Sequence, residues 1–483
     1  MPLILTDPFL ILAAGILVVV GGIIGLKLHP FLAMLLAAFA VAWLTPASAI
    51  EQFALSKGAT AAAALQQSKK SLGERIATEF GNTAAKIGIL IAMAAIIGKC
   101  MLESGAAERI IRSILRAIGI DRAPAAFLVS SFFIGIPVFF DTVIFLMMPL
   151  AKAISLRIGR NYLLFVLSII AGAMMANSLV PPAPGPLFLV TAMQIPIGLM
   201  IVAGSMLGLI TATSGYLFAR WLNRRMTVPV RDSLDAKVED IRMIAEKDDA
   251  QLPSLALSLL PVVFPVFFIC ADTFLNLSKD AASANAFAKA IAAVVHFFGD
   301  KNTALVTAGI LALLVVLRQK RGTTFDMSGF IQNALMSGGA IILITCAGGA
   351  FGGVIQQTGI SERITSLTSH YQMALIPLSF LIAAVVRTAQ GSATVALITA
   401  SGILSGMASQ AGLAFHPLYL GLAIGCGAKL VPWMNDPGFW IICKMSNLTE
   451  REALKTYAPM GVVMGVTGLL FIMLAAALMP FPV

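Results

Sequence analysis

The chain has 483 residues, of which 59% are hydrophobic and only 12% charged, with a mean hydropathy of +0.93. An ordinary soluble domain is about a quarter charged, so this chain cannot cover a water-soluble surface and belongs in a membrane. The net charge of +10 does not point to nucleic acid, because the basic residues form no patch or arm. They sit in short clusters between apolar runs, such as Arg220, Arg224 and Arg225 or Arg318, Lys320 and Arg321, as cytoplasmic loops do under the positive-inside rule.

In chain order, runs near or above the roughly 20 apolar residues that cross a hydrocarbon core predict spans at 9–26, 30–46, 84–103, 162–197 and 200–221. The first follows Asp7 rather than a basic segment and reads as a retained span, not a signal peptide. Residues 227–252 turn polar, with seven acidic residues between Asp232 and Asp249, and read as a cytoplasmic charged linker. It separates an N-terminal membrane unit, 1–226, from a C-terminal one, 253–483. The second unit is expected to span at 253–278, 303–317, 331–357, 418–443 and 459–480, and 285–298 is long enough to dip into the membrane.

Two further apolar stretches, 124–150 and 373–412, are expected to be re-entrant hairpins. Each has a centre unsuited to regular helix, GIPVFFD at 135–141 and RTAQGSAT at 387–394. If 124–150 crossed, the loop with Lys152, Arg157 and Arg160 would fall outside, against the charge rule. Spans 162–197 and 418–443 are interrupted at NSLVPPAPGP (177–186) and VPWMNDPG (431–438). Proline removes a donor and clashes with the preceding turn. Broken backbone at membrane depth survives only where protein or a polar cavity satisfies it.

The two units repeat one another. GKCMLESGAAERI at 98–110 matches GGVIQQTGISERI at 352–364 at an offset of 254, and Pro184-Gly185 matches Pro437-Gly438 at 253. The first loop, 103–123, carries Arg109, Arg112, Arg116 and Arg122 and reads as cytoplasmic. Its counterpart, 358–372, has only Arg363 and His370 and reads as external. The expected fold is therefore an all-α polytopic membrane protein of two inverted-topology repeats. Each repeat has about five spans, one re-entrant hairpin and one broken helix. Inverted repeats are a transporter signature, with the binding site at their interface. Half-helix N-termini gathered there would seat a carboxylate.

GKCMLESGAAERI, PVFFD, VPPAPGP, RTAQGSATVA and MNDPGFW, in this order and spacing, resemble the signature segments of the gluconate permease family, the gluconate:proton symporters of the ion-transporter superfamily. The resemblance runs from about residue 10 to 475. It implies proton-coupled uptake of gluconate, related sugar or hydroxy acids or, in some members, a D-amino acid, in the bacterial cytoplasmic (inner) membrane. Sugar-acid members tend to carry histidines where this chain has Asn177, Ala183 and Trp433, and an uncharged residue where it has Lys429.

Arg387 is the only charge in the second hairpin, at its expected tip. A mid-membrane arginine costs about 3 kcal/mol on insertion scales, and it reads either as a bidentate carboxylate receptor or as a structural ion pair. Asp141, alone in the first hairpin, reads as a carrier of the coupling proton, since burial favours the neutral carboxyl, or as a partner of Arg387. Asp436 has the same alternatives, with a third as the cap of the half-helix starting at Pro437. Lys429 reads as a second anion contact, a stand-in for a bound cation, or a salt-bridge partner. Asn177, Ser178, Gln390, Gly391, Ser392, Thr394 and Asn435 complete the expected substrate site, the polar side chains among them reading either as partners of substrate hydroxyls or as groups that satisfy the broken backbone. Sodium is the alternative coupling ion. An anion channel is the alternative from another class, and an oligomer is compatible with the sequence. The five cysteines lack metal-ligand spacing, the four histidines lack partners, and HExxH and GxSxG are absent. No metal, cofactor or enzymatic reaction is expected.

Overall fold

The structure is a computed structural model that describes residues 7–119, 122–231, 252–277, 286–321, 325–360, 372–408, 413–434 and 436–481. The described residues are helical, with no strand among them. Linker residues 232–251 and most of the loop at 358–372, with Arg363 and His370, lie outside the described residues.

Capping sets the helix starts. α1 (Pro8–Val20) begins where Asp7 Oδ1 accepts the Phe9 N–H at 2.8 Å and Pro8 opens the first turn. α2 (Pro30–Leu44) turns by 99° into α3 (Ala47–Ser56) at Pro46, and α4 (Ala61–Ser68) follows. α5 (Leu72–Glu103) starts twelve residues before the expected span at 84, because Ser71 Oγ accepts the Glu74 N–H at 3.2 Å. Hydropathy registers only the apolar part of such a helix; the cap lies beyond it. The first unit continues through α6 (Ala106–Ile118), α7 (Ala123–Ile134), α8 (Phe140–Ile158), α9 (Tyr162–Leu179), α10 (Pro184–Ala192) and α11 (Ile197–Asn223).

The second unit holds α12 (Leu255–Leu277), α13 (Ala286–Gly299), α14 (Lys301–Gln319), α15 (Met327–Gln356), α16 (Leu375–Gln390), α17 (Ala393–Ala408), α18 (Leu418–Gly427), α19 (Pro437–Ser446) and α20 (Glu450–Leu478). A capping box of Thr449 and Glu452 starts α20 nine residues before the expected 459. Among the described residues, seven helical spans are long and apolar enough to cross a membrane: α5, α9 with α10, α11, α12, α14, α15 and α20. The stretches expected to span at 9–26 and 418–443 are assembled from shorter pieces, α1 with a π-helical turn at Gly21–Gly25 and α18 with α19. At 30–46, α2 is long and apolar enough only together with α3 across the 99° bend, as an eighth span. The protein is a multi-pass membrane protein.

Helices starting at 72, 123, 140, 162, 184 and 197 recur at 327, 375, 393, 418, 437 and 450. Packing follows the same pairing. α5 lies along α15, α11 along α20, α7 on α9 and α16 on α18. The half-helices cross over: α10 packs on α17 of the other unit, and α19 on α8. α9 is buried along its whole length, while Leu217, Phe267, Ile310 and Leu470 on surrounding helices are exposed apolar residues suited to lipid.

Gly172 shows how closely the core helices meet. A Cβ there would lie 2.2 Å from Ser131 Oγ and 2.3 Å from the Leu128 carbonyl oxygen of α7, a backbone contact that cannot give. Gly172→Ala is expected to destabilise by about 1–3 kcal/mol, read as a lower melting temperature in detergent. Gly88→Ala, with nothing within 4 Å of the added carbon, should leave the melting temperature unchanged.

Candidate functional site

Four helices begin at one cavity of about 390 Å³. α8 contributes Phe140, Asp141 and Thr142 from its first turn, α10 contributes Pro184, α17 Ala393 and Thr394, and α19 Pro437 and Gly438. The first N–H groups of a helix have no intrahelical acceptor and carry its partial positive charge. Proline and glycine build these starts. Pro184 and Pro437 each occupy the first position of a half-helix, where the missing N–H costs nothing. Gly391 closes α16 in the left-handed region at φ 85°, which lets the chain turn at once into α17.

The remaining wall comes from Met174 and Asn177 of α9, Ser337 and Ile341 of α15, Arg387 of α16, Lys429 just after α18, and Tyr457 of α20. Of the residues expected from sequence, Asp141, Asn177, Arg387, Ser392, Thr394, Lys429 and Asp436 therefore meet here. Gly391 lies beside them as the cap of α16. Ser178 does not line the cavity; it is buried, its Oγ has no hydrogen-bond partner among the described residues, and its carbonyl backs onto Gly425. Asn435 and the Gln390 side chain lie outside the described residues.

The charges are not equivalent. Arg387 is 2% exposed, and its Nη2 donates to Asp436 Oδ2 at 2.5 Å. Its Nε and Nη1 are buried without a partner among the described residues. Asp436 is fully engaged: Oδ1 caps α19 by accepting the Gly438 N–H at 2.9 Å, and Oδ2 also accepts from the Tyr457 hydroxyl at 3.3 Å. Of the three readings of Asp436, the cap and the ion pair are both present.

Asp141 and Lys429 differ from that pair. Asp141 is exposed to the cavity and makes no hydrogen bond or salt bridge among the described residues. It is not the salt-bridge partner of Arg387; that place is taken by Asp436. Lys429 is buried, forms no salt bridge among the described residues, and holds its Nζ 5.9 Å from the centroid of the Phe140 ring. It feels the charges of Arg387, Asp436 and Asp141 together. The cavity thus presents two formal positive and two formal negative charges, one pair joined and the other apart.

Sequence reasoning missed Tyr457, Ser337 and Phe140. Tyr457 had a signal. The sequence Thr449-x-x-Glu452 is a capping box, and recognising it starts the last helix early enough to carry Tyr457 two turns inside.

The broken backbone is held by indoles. Trp433 Nε1 donates to the Thr388 carbonyl at 2.9 Å, tying the second break to the end of α16, and Trp440 Nε1 donates to the Met434 carbonyl at 2.7 Å. Groups of three or more metal-binding side chains are absent among the described residues.

Comparison with known proteins agrees with this architecture. Residues 7–478 match the family described as GntP family permease. The chain is 30% identical over 474 residues to a gluconate permease of Pseudomonas aeruginosa, covering 97% of this chain and 98% of that one. It is 25% identical over 464 residues to the Gnt-II system L-idonate transporter of Escherichia coli, covering 96% and 98%. In fold it is similar to the YdaH transporter of Alcanivorax borkumensis, with a TM-score of 0.59 at 14% identity over 84% of this chain and 89% of that one. The chain is a membrane permease rather than an enzyme, and it belongs to the GntP permease family.

Proposed function

We propose that this protein is a secondary active transporter that takes up a small organic carboxylate, gluconate or a related sugar acid, together with a proton, by alternating access in the bacterial inner membrane. The observation that carries the reading is the cavity where four helix N-termini surround an ammonium, Lys429, that has no salt-bridge partner among the described residues. An anion is the ligand such a field favours. The names of the relatives, gluconate permease and L-idonate transporter, support a hydroxylated monocarboxylate.

Coupling follows from the same charges. An entering carboxylate is drawn to Lys429 and repelled by Asp141. Protonating Asp141 removes the repulsion, so anion and proton each raise the other's affinity, as linkage requires. Asp436 is the poorer carrier, since protonating it would strand Arg387 without its partner. A second reading has one observation in its favour. A separated ammonium and carboxylate in one cavity also match a zwitterion, so a D-amino acid belongs in the substrate screen.

The deciding experiment is uptake into proteoliposomes from a panel of labelled sugar acids, hydroxy acids and D-amino acids. An inward proton gradient should drive accumulation of a sugar acid, and unlabelled substrate on the far side should accelerate exchange. Absence of that acceleration would exclude a carrier and favour a channel. Accumulation driven by sodium in place of protons would overturn the coupling assignment.

The repeats are read as inverted, with 124–150 and 373–412 as re-entrant hairpins. A cysteine at Ser113 should then be labelled only from the cytoplasm and one at Ser366 only from outside. Labelling of both from one side rules out the inversion.

A further inference from the structure

A second cavity, of about 150 Å³, shares α10, α15 and α17 with the first but lies away from it and is closed by α3 and α5. α15 and α17 touch the central cavity at Ile341 and Thr394 and the second cavity eight residues later, at Gly349 and Gly402. Eight residues of helix advance roughly 12 Å, so the two cavities are neighbours along one line, not one space.

The wall supplied by α5 is unusual for a span. Lys86 stands roughly 21 Å from the first residue of this 32-residue helix by its helical rise. Its side chain is exposed at the cavity and makes no hydrogen bond or salt bridge among the described residues. Lys86 stands two residues into the apolar part of the helix, which begins at 84, so its ammonium faces the polar cavity and is open to an anion there.

Its neighbours are hydrogen-bonding groups with capacity left over. Glu79 and Asn82 lie on the same face of α5, seven and four residues before Lys86. Gln357 Nε2 donates to Glu79 Oε1 at 3.2 Å, and no hydrogen bond to Oε2 is found among the described residues. Across the cavity, Gln356 Nε2 donates to Ser405 Oγ at 2.7 Å, which leaves the Gln356 amide oxygen as an acceptor. Phe188 adds an apolar face. This wall is fixed in place: a Cβ on Gly353 would lie 2.7 Å from the Glu79 carboxyl, so α15 and α5 are in close contact beside it.

One ammonium followed by a carboxylate and two amides is the complement of a carboxylate followed by hydroxyls. Lys86 would take the acid, and Glu79, Asn82 and Gln356 would exchange hydrogen bonds with the hydroxyls. A plain aliphatic acid would leave those groups desolvated and unpaired, which is the stronger source of discrimination. We propose that this cavity is a second binding site, specific for polyhydroxylated monocarboxylates and occupied on the way to or from the central cavity. It rests on the carboxylate-transport reading above and adds a second site to it.

The test counts molecules of radiolabelled D-gluconate bound per chain by purified protein in nanodiscs, with proteoliposome uptake measured alongside. Wild type should bind two. Lys86→Gln and, independently, Gln356→Leu should each bind one and raise the gluconate concentration for half-maximal uptake about tenfold, the worth of one charge-assisted or buried hydrogen bond. Butyrate, with no hydroxyls, should not displace the site that Lys86→Gln removes. Using two variants on different helices protects the test from a folding defect in either. One molecule bound by wild type, with both variants unchanged in binding and uptake, overturns the second site and leaves the transport reading intact. A wild type that neither binds nor takes up gluconate or any other sugar or hydroxy acid of the labelled panel overturns both.

Discussion

Arg387→Met is expected to be among the most damaging single substitutions in the protein, lowering stability by about 3–5 kcal/mol, the usual cost of stranding one member of a buried ion pair. The guanidinium is almost completely buried and Asp436 Oδ2 is its hydrogen-bond acceptor. Removing it leaves a carboxylate in a membrane interior with only the Gly438 N–H and the Tyr457 hydroxyl. Stability alone would not tell a strut from a receptor. Arg387→Lys does so, because lysine keeps the charge opposite Asp436 but lacks the planar fork. If Nε and Nη1, which have no partner among the described residues, turn to the substrate during transport, the folded Lys variant should bind the acid at least tenfold more weakly. It should also lose much of wild type's preference for the acid over its amide. Undiminished acid selectivity in a stable Lys variant would confine Arg387 to holding Asp436 and the start of α19.

Much of this site can be read from the linear chain for one reason: the residues that forbid regular helix in an apolar run are also those that create helix ends. RTAQGSAT contains the joint at Gly391 and Ser392, GIPVFFD contains the start of α8, and PPAPGP and MNDPG contain the starts of α10 and α19. A lone charge in such a segment stands near a helix end. What the sequence withholds is pairing across the fold. Asp141 and Asp436 are alike in composition terms, each a single acid beside a break. Only the tertiary arrangement, with α19 packed on α8 and its cap Asp436 brought to Arg387 of α16, decides that Asp436 takes Arg387 while Asp141 does not. Ser337 and Ile341 are hidden for a related reason, since nothing in an apolar 30-residue helix marks the face that meets a cavity. Ser178 fails for the opposite reason. It is polar and adjacent to Asn177, but a step of one residue on a helix turns the side chain through about 100°, and the Ser178 hydroxyl is buried away from the cavity.

Asp141→Asn should abolish uphill uptake, a loss of at least a hundredfold in the accumulation ratio, while exchange of substrate across the membrane continues. The reasoning is electrostatic. In wild type the Asp141 carboxylate shares the cavity with Lys429 and with the incoming acid, so the acid binds well only when Asp141 holds a proton. Asparagine imitates the protonated carboxyl in shape and charge, and it cannot release the proton on the far side. Substrate affinity in the variant should therefore match that of wild type at low pH and stay flat as pH rises, whereas wild-type affinity should fall with rising pH. The sign follows from which form binds: the neutral form is the competent one, and alkalinity depletes it. Asp436→Asn should behave differently, because that carboxylate is bound by Arg387, Tyr457 and the α19 cap. Its loss should appear first as a lower melting temperature in the absence of substrate, with the pH dependence of binding retained in the protein that survives. Should Asp141→Asn still accumulate substrate with an ordinary pH profile, the proton does not travel on Asp141. If Asp436→Asn is then the variant that abolishes accumulation, the roles of the two carboxylates are reversed, and the ion pair with Arg387 opens and closes in each cycle.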